Sequence, residues 1–141
     1  MVEKQKNSNT DDFKLDNQKF LIQAAIATLM INLFHKIVRE IPGSFTLPGI
    51  LAVVGLVSML IIVGFLSLSI ILLILKRKLG SYVAIIPGIW AILQCLVMHV
   101  ILGYPDLNGV WWYPMFPFLQ GVLIIYFSSR LWHRDYIFKD V

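Results

Sequence analysis

The sequence predicts an all-α integral membrane protein: four transmembrane helices in an antiparallel bundle, with both termini cytoplasmic. Three observations predict it: an apolar composition, four long apolar runs, and basic residues concentrated on one side of them. Hydrophobic residues make up 58% and charged residues 14% of the 141 residues, against roughly 45–50% and about 25% in soluble domains. Since much of a small domain's surface stays in contact with water, this composition excludes a water-soluble enzyme or binding module.

The four runs are each long enough for a helix of about 20 residues, which crosses a ~30 Å hydrocarbon layer. Their bounds in the sequence are Phe20–Val38, Leu47–Leu75, Ser81–Gly103 and Trp111–Ser129. The predicted domains are a disordered cytoplasmic tail (1–19), a transmembrane domain (20–132) and a short cytoplasmic C-terminal tail (133–141). Within the domain, the spans cover about 20–38, 47–75, 81–103 and 111–131.

Each span has a distinguishing feature. The first is the most polar, because it contains Asn32 and His35, and its uncharged part ends at Lys36. A re-entrant or interfacial helix is therefore the alternative to a transmembrane span. The second exceeds the bilayer thickness and is expected to bend or to emerge into the headgroups. Pro87 is expected to kink the third. The short connections at 39–46, 76–80 and 104–110 contain turn-forming residues, and short loops make neighbouring helices antiparallel.

The distribution of basic residues predicts the orientation. Of the 12 Lys and Arg residues, only Lys36 and Arg39 fall on the side opposite the termini. The others lie in the N-terminal tail, in the Lys76–Lys78 turn and at the C-terminal end, where they are Arg130, Arg134 and Lys139. Because cytoplasmic loops carry an excess of Lys and Arg, the termini and this turn are placed in the cytoplasm. Tyr and Trp residues cluster at both predicted interfaces, as in an aromatic belt.

A stripe of small residues follows one face of the third span. Ala84, Gly88, Ala91 and Cys95 recur at spacings of four, three and four, and His99 continues the row. Lipid tails are as apolar as leucine, so membrane helices associate through small residues and polar contacts. We therefore expect the first four to pack against another helix, in this chain or in a partner. Cys95 is the only cysteine, which excludes an intrachain disulfide and a Cys-based zinc site.

Two histidines and two carboxylates are predicted to gather near the outer leaflet: His35, His99, Glu40 and Asp106. The simplest interpretation is that each histidine bonds a backbone carbonyl or a neighbour while the acids are solvated. A second is a metal site formed by all four, since imidazole and carboxylate groups bind zinc, copper or iron. A third is a haem held by His35 and His99. A proton or ion path is a fourth, although no charged residue is predicted at mid-depth.

The sequence predicts no enzyme. It contains neither a Gly-x-Ser-x-Gly elbow nor a His-Glu-x-x-His motif, and it has no phosphate-binding glycine loop and no Cys-x-x-Cys. Nucleic acid is not an expected partner, because the basic residues flank apolar runs. The expected partners are the lipid bilayer and other membrane subunits or further copies of this chain.

The leading hypothesis is a non-catalytic structural or assembly subunit of a larger membrane complex, or a homo-oligomer, with no cofactor. The first alternative is a redox subunit that binds a metal or a haem through the outer histidines. The second is a small oligomeric transporter or channel, whose sequence feature would be polar side chains, such as Gln94 and Gln120, facing a common axis.

Overall fold

The computed structural model describes residues 2–45, 48–97 and 115–132, with side chains described from Lys19 onward. These ranges consist of helices and turns and contain no strand, which confirms the all-helical prediction for the described part of the chain. The helices are α1 (Val2–His35), α2 (Ile41–Ser44), α3 (Ile50–Ile74), α4 (Leu79–Val83), α5 (Ile85–Cys95) and α6 (Met115–Trp132).

The first helical segment extends beyond its predicted span in both directions. α1 begins at Val2, so the backbone is helical where the sequence predicts a disordered tail. Adding residues to an existing helix costs far less than nucleating a new one. At the other end, a π-helical turn (Lys36–Glu40) and α2 continue the helix to Ser44, across the predicted turn at 39–46. Pro42 lies in the first turn of α2, where the N–H that it lacks is not needed.

Within residues 2–45, 48–97 and 115–132, two helical segments are long and apolar enough to cross a membrane: Lys19–Ser44, with a mean hydropathy of 1.6, and Ile50–Ile74, with 2.9. Only 28% and 33% of their most apolar windows are buried inside the protein. Large exposed apolar surfaces mark sites of contact with lipid or with another protein. Two long apolar helices with this exposure favour membrane association.

The turn after α3 reverses the chain within a few residues. The Arg77 N–H donates to the Leu72 carbonyl and the Lys76 N–H to the Leu73 carbonyl, which is the pattern of a Schellman motif. Lys76 occupies its left-handed position, with φ at 53°. Next to the turn, a Cβ on Gly80 would lie 2.8 Å from the Leu73 backbone nitrogen, so α3 and α4 approach closely there.

α4 and α5 are separated by a break at Ala84 within the third predicted span. Pro87 explains the position of the break. It has no N–H, and its ring clashes with the carbonyl four residues before it, which is that of Val83. The two helices nevertheless form one continuous apolar helical segment, Leu79–Cys95.

The interior lies where α1, α3, α5 and α6 meet. α5 packs mainly on α6, and α1 packs on α6 and α3. The buried apolar side chains of the cluster are small or aliphatic: Ala25, Leu29, Ile62, Leu66, Ile70, Leu73, Ala84, Ile124 and Leu131. Polar groups are buried beside them, among them Asn32, Lys36 and Gln120. Many large apolar residues of α3 face outward instead.

Candidate functional site: a buried polar cluster

The π turn that follows α1 places three titratable side chains together. In a regular α-helix, residues five apart lie about 140° apart around the axis. Here the hydrogen bond from the Ile41 N–H runs to the Lys36 carbonyl, five residues back, so the turn is wider than an α turn. Glu40 thus contacts both His35 and Lys36. Such π turns occur frequently at functional sites.

Lys36 and Glu40 form the centre of the cluster. The Lys36 Nζ atom donates to Glu40 Oε1 and Oε2, at 2.7 Å each. The Lys36 side chain is only 1% exposed and that of Glu40 13%. An isolated buried charge is very unfavourable, so this ammonium depends on its carboxylate partner.

Gln94 on α5 joins the two charged groups. Its Oε1 accepts from Lys36 Nζ at 2.7 Å, and its Nε2 donates to Glu40 Oε2 at 2.7 Å. Each of the three side chains is therefore bonded to the other two. The amide connects the end of α1 to α5, although the two segments are far apart in sequence.

His35 completes the cluster on the side of α6. Its Nδ1 lies 3.2 Å from Glu40 Oε1, and its ring centroid lies 5.3 Å from that of Phe116 in a tilted arrangement. Protonation of His35 would turn its contact with Glu40 into an ion pair. The carboxylate of Glu40 is thus approached by an ammonium, an amide and an imidazole.

A second polar contact lies one helical turn before the cluster on α1. The Asn32 Nδ2 donates to Gln120 Oε1 on α6 at 3.0 Å, and both side chains are buried. The remaining polar atoms, Asn32 Oδ1 and Gln120 Nε2, have no hydrogen-bond partner among the described residues. This amide pair connects α1 to α6 but satisfies only half of its hydrogen-bonding capacity.

The main cluster has little capacity to bind a ligand, because most of its hydrogen-bond donors and acceptors already have partners within the cluster. An ammonium has three donors, and three acceptor oxygens lie 2.7 Å from Lys36 Nζ. Both oxygens of Glu40 already accept from Lys36. Gln94 and His35 also contact this carboxylate, so a metal ion at Glu40 would have to displace one of the groups around it. The geometry therefore suits a structural connection between helices better than ligand exchange.

The structure brings together two of the four side chains predicted for the outer site. His35 and Glu40 are in contact, whereas His99 and Asp106 lie outside the described residues. Within the described ranges, no group of three or more His, Cys, Asp or Glu side chains could hold a metal ion. The predicted metal and haem sites remain predictions.

The small-residue stripe of the third span faces α6 of the same chain. Ala84, Gly88 and Ala91 are buried, and Cys95 is half-buried. A Cβ on Gly88 would lie 2.9 Å from Ile125 Cγ1, and one on Gly121 would lie 2.6 Å from the Gly88 carbonyl oxygen. The two glycine backbones touch, which only glycine permits at this distance.

Sequence reasoning missed two members of the cluster. It treated Lys36 as the end of the charge-free part of the first span and Gln94 as one of several mid-span amides. A signal for Lys36 was present, since Asn32, Lys36 and Glu40 follow one another at intervals of four residues. Residues spaced in this way share one helix face. The contact of Gln94 with Lys36 and Glu40 has no such signal, because it depends on how α5 packs.

No protein-family model matches this chain, and no curated protein or solved structure matches it.

Proposed function

We propose that this chain is a multi-pass membrane protein with four spans and cytoplasmic termini, and that it acts as a non-catalytic structural or assembly subunit. The membrane assignment is carried by one observation: polar side chains are buried between the helices, and large apolar side chains face outward. Lys36, Asn32 and Gln120 are buried, while large apolar side chains along α3 are exposed. In water this arrangement would be unfavourable, whereas in lipid apolar side chains face outward and polar groups are satisfied internally.

The structural role rests on the saturation of the polar cluster. Lys36, Glu40 and Gln94 bond one another, so the cluster has little capacity left for a substrate. In membranes, interhelical hydrogen bonds hold helices together and orient them. The cluster and the pair of Asn32 and Gln120 therefore position α1 against α5 and α6.

A contact surface for a partner is found on α3 and not on α5. The stripe of α5 is already packed against α6 through Gly88. By contrast, a Cβ on Gly64 would meet no atom of the described residues within 4 Å, and the apolar side chains of Leu60, Ile61 and Leu68 near it are exposed. Small residues at exposed positions allow a second helix to approach closely. The outer face of α3 is the surface proposed for assembly with a second membrane chain or a further copy.

A substitution of Gly64 tests this proposal. Purified protein in mild detergent is sized by native mass spectrometry and blue-native electrophoresis, with any co-purifying chains identified. Gly64→Leu is expected to reduce assembly without lowering the melting temperature of the single chain. Gly64→Ala is the matched control and retains assembly. A protein that is monomeric and free of partners in native-like membranes contradicts the assembly role.

A small transporter or channel is the second candidate, and the ionisable pair favours it. Counted along the helix Lys19–Ser44, Lys36 lies about 7 Å from the midpoint, where charged residues commonly mark ion or proton paths. Proton flux into liposomes would then depend on the carboxylate and fall at least tenfold in Glu40→Gln. Flux equal to that of empty liposomes in the unmodified protein removes this candidate.

A further inference from the structure

The turn between α3 and α4 is the most concentrated charge on the described surface. Lys76, Arg77 and Lys78 follow one another, and the first two are exposed. Among the described side chains, Glu40 is the one carboxylate, and it is bonded to Lys36. Lys76 and Arg77 therefore have no carboxylate partner in the described part of the chain.

The backbone of this turn favours a residue other than lysine. Lys76 has φ at 53° and occupies the position of the Schellman motif that glycine fills most often. A non-glycine residue is strained in this conformation. What lysine contributes here in place of glycine is a positive charge at the tip of the turn.

Aromatic side chains mark the level of the headgroups at this end of the bundle. Tyr82 is 45% exposed, and its ring stacks on that of Trp132 with the centroids 5.0 Å apart. Tyr and Trp prefer the boundary between hydrocarbon and water. Tyr82 is one helical turn after Lys78, so the three cations lie at the same boundary.

A fourth cation, Arg130, lies on α6. The guanidinium carbon of Arg130 lies 5.4 Å from the centre of the Tyr126 ring. Arg130 and Trp132 are two residues apart, about 200° around the helix. Arg130 therefore adds to the positive potential of this end but does not share the binding position of the turn.

We propose that Lys76 and Arg77 bind the phosphate group of an anionic lipid at the headgroup level of this end of the bundle. The proposal rests on the membrane embedding proposed above. A lysine and an arginine suit a phosphate diester, because one is a compact charge and the other a planar fork of donors. The stacked pair of Tyr82 and Trp132 provides the apolar boundary beneath the headgroup.

The test measures the melting temperature of the full-length protein in detergent micelles, where membrane orientation plays no part. Added phosphatidylglycerol is expected to raise the melting temperature, and phosphatidylcholine is not. The variant Lys76→Gln/Arg77→Gln is expected to bind phosphatidylglycerol roughly ten- to thirty-fold more weakly. The single variant Arg77→Gln, which leaves the strained position unchanged, gives an intermediate loss.

The matched control is Lys19→Gln/Arg39→Gln, which removes the same net charge elsewhere and keeps the lipid response. An unchanged response in Lys76→Gln/Arg77→Gln overturns the lipid site while leaving the membrane assignment intact. An equal rise with inorganic phosphate alone also overturns it, because the ligand would then be a free anion. Recovery of the protein from the soluble fraction without detergent is a different result and contradicts the proposed function itself.

Discussion

Lys36 and Glu40 neutralise each other between packed helices, with Lys36 Nζ at 2.7 Å from both carboxylate oxygens. The pair lies in the π turn at the end of α1, and Gln94 of α5 bonds to both members. A pair of charges that the sequence assigns to the outer membrane boundary is thus part of the interior contact between helices.

Removal of one member of this pair is expected to be more damaging than removal of both. Glu40→Gln leaves the ammonium of Lys36 buried without its counter-charge and is expected to lower the free energy of unfolding by about 3–5 kcal/mol. Lys36→Met/Glu40→Leu removes both charges and is expected to cost much less. Unfolding in mixed micelles measures both values.

The exposed residue Lys19 supplies the control for that series. Lys19→Gln is expected to change the free energy of unfolding by less than about 0.5 kcal/mol. Equal losses for the single and the double variants would show that the pair contributes no charge coupling, contrary to this account.

The amide pair of Asn32 and Gln120 is expected to behave as a weak and replaceable contact. Membrane interhelical hydrogen bonds average about 0.6 kcal/mol, and two polar atoms of this pair have no partner among the described residues. Asn32→Leu or Gln120→Leu alone is expected to cost about 1 kcal/mol, since a buried amide loses its partner. The double variant is expected to be as stable as the original protein. A double-mutant cycle measures the coupling, and additive losses would contradict this expectation.

The two glycines at different surfaces of the bundle are expected to respond in opposite directions. Gly121→Ala introduces a Cβ 2.6 Å from the Gly88 carbonyl oxygen, so α5 and α6 must separate, at a cost of about 1–3 kcal/mol. The Cβ of Gly64→Ala meets no atom of the described part of the chain within 4 Å, and the variant gains up to about 1 kcal/mol of helix propensity. Melting temperatures of the two variants measured side by side check the difference, and equal shifts would refute the close contact at Gly121.

The strained turn after α3 predicts a stabilising substitution. Lys76→Gly relieves the left-handed conformation of Lys76 and is expected to stabilise the protein by about 1 kcal/mol. Gly49 has φ at 55° and ψ at −127°, a combination that residues other than glycine rarely adopt, so Gly49→Ala is expected to destabilise the protein by about 1–3 kcal/mol through backbone strain. Thermal unfolding in detergent measures both. A lower melting temperature for Lys76→Gly would show that the charge of Lys76 stabilises the protein by more than its backbone strain destabilises it.

Local chemistry was sufficient to predict the helical nature of the chain. Long apolar runs such as that of α3 cannot satisfy their backbone groups in lipid except as helices or closed barrels. The break before Pro87 also follows from one residue, because a proline in the interior of a helix disturbs the turn that precedes it. The continuation from α1 to Ser44 was not predicted, because Pro42 and Gly43 signal a turn in most contexts, whereas here they lie in α2, with Pro42 in its first turn.

The sequence by itself determined the apolar composition, the all-helical class and the face of the third span on which small residues lie. Only the tertiary structure decided that this face meets Gly121 of the same chain and that Gln94 reaches the pair of Lys36 and Glu40. Periodicity depends on neighbours within one helix, and a single sequence expresses it directly. The order of helices around a bundle depends on interactions between distant segments, and short loops permit more than one arrangement.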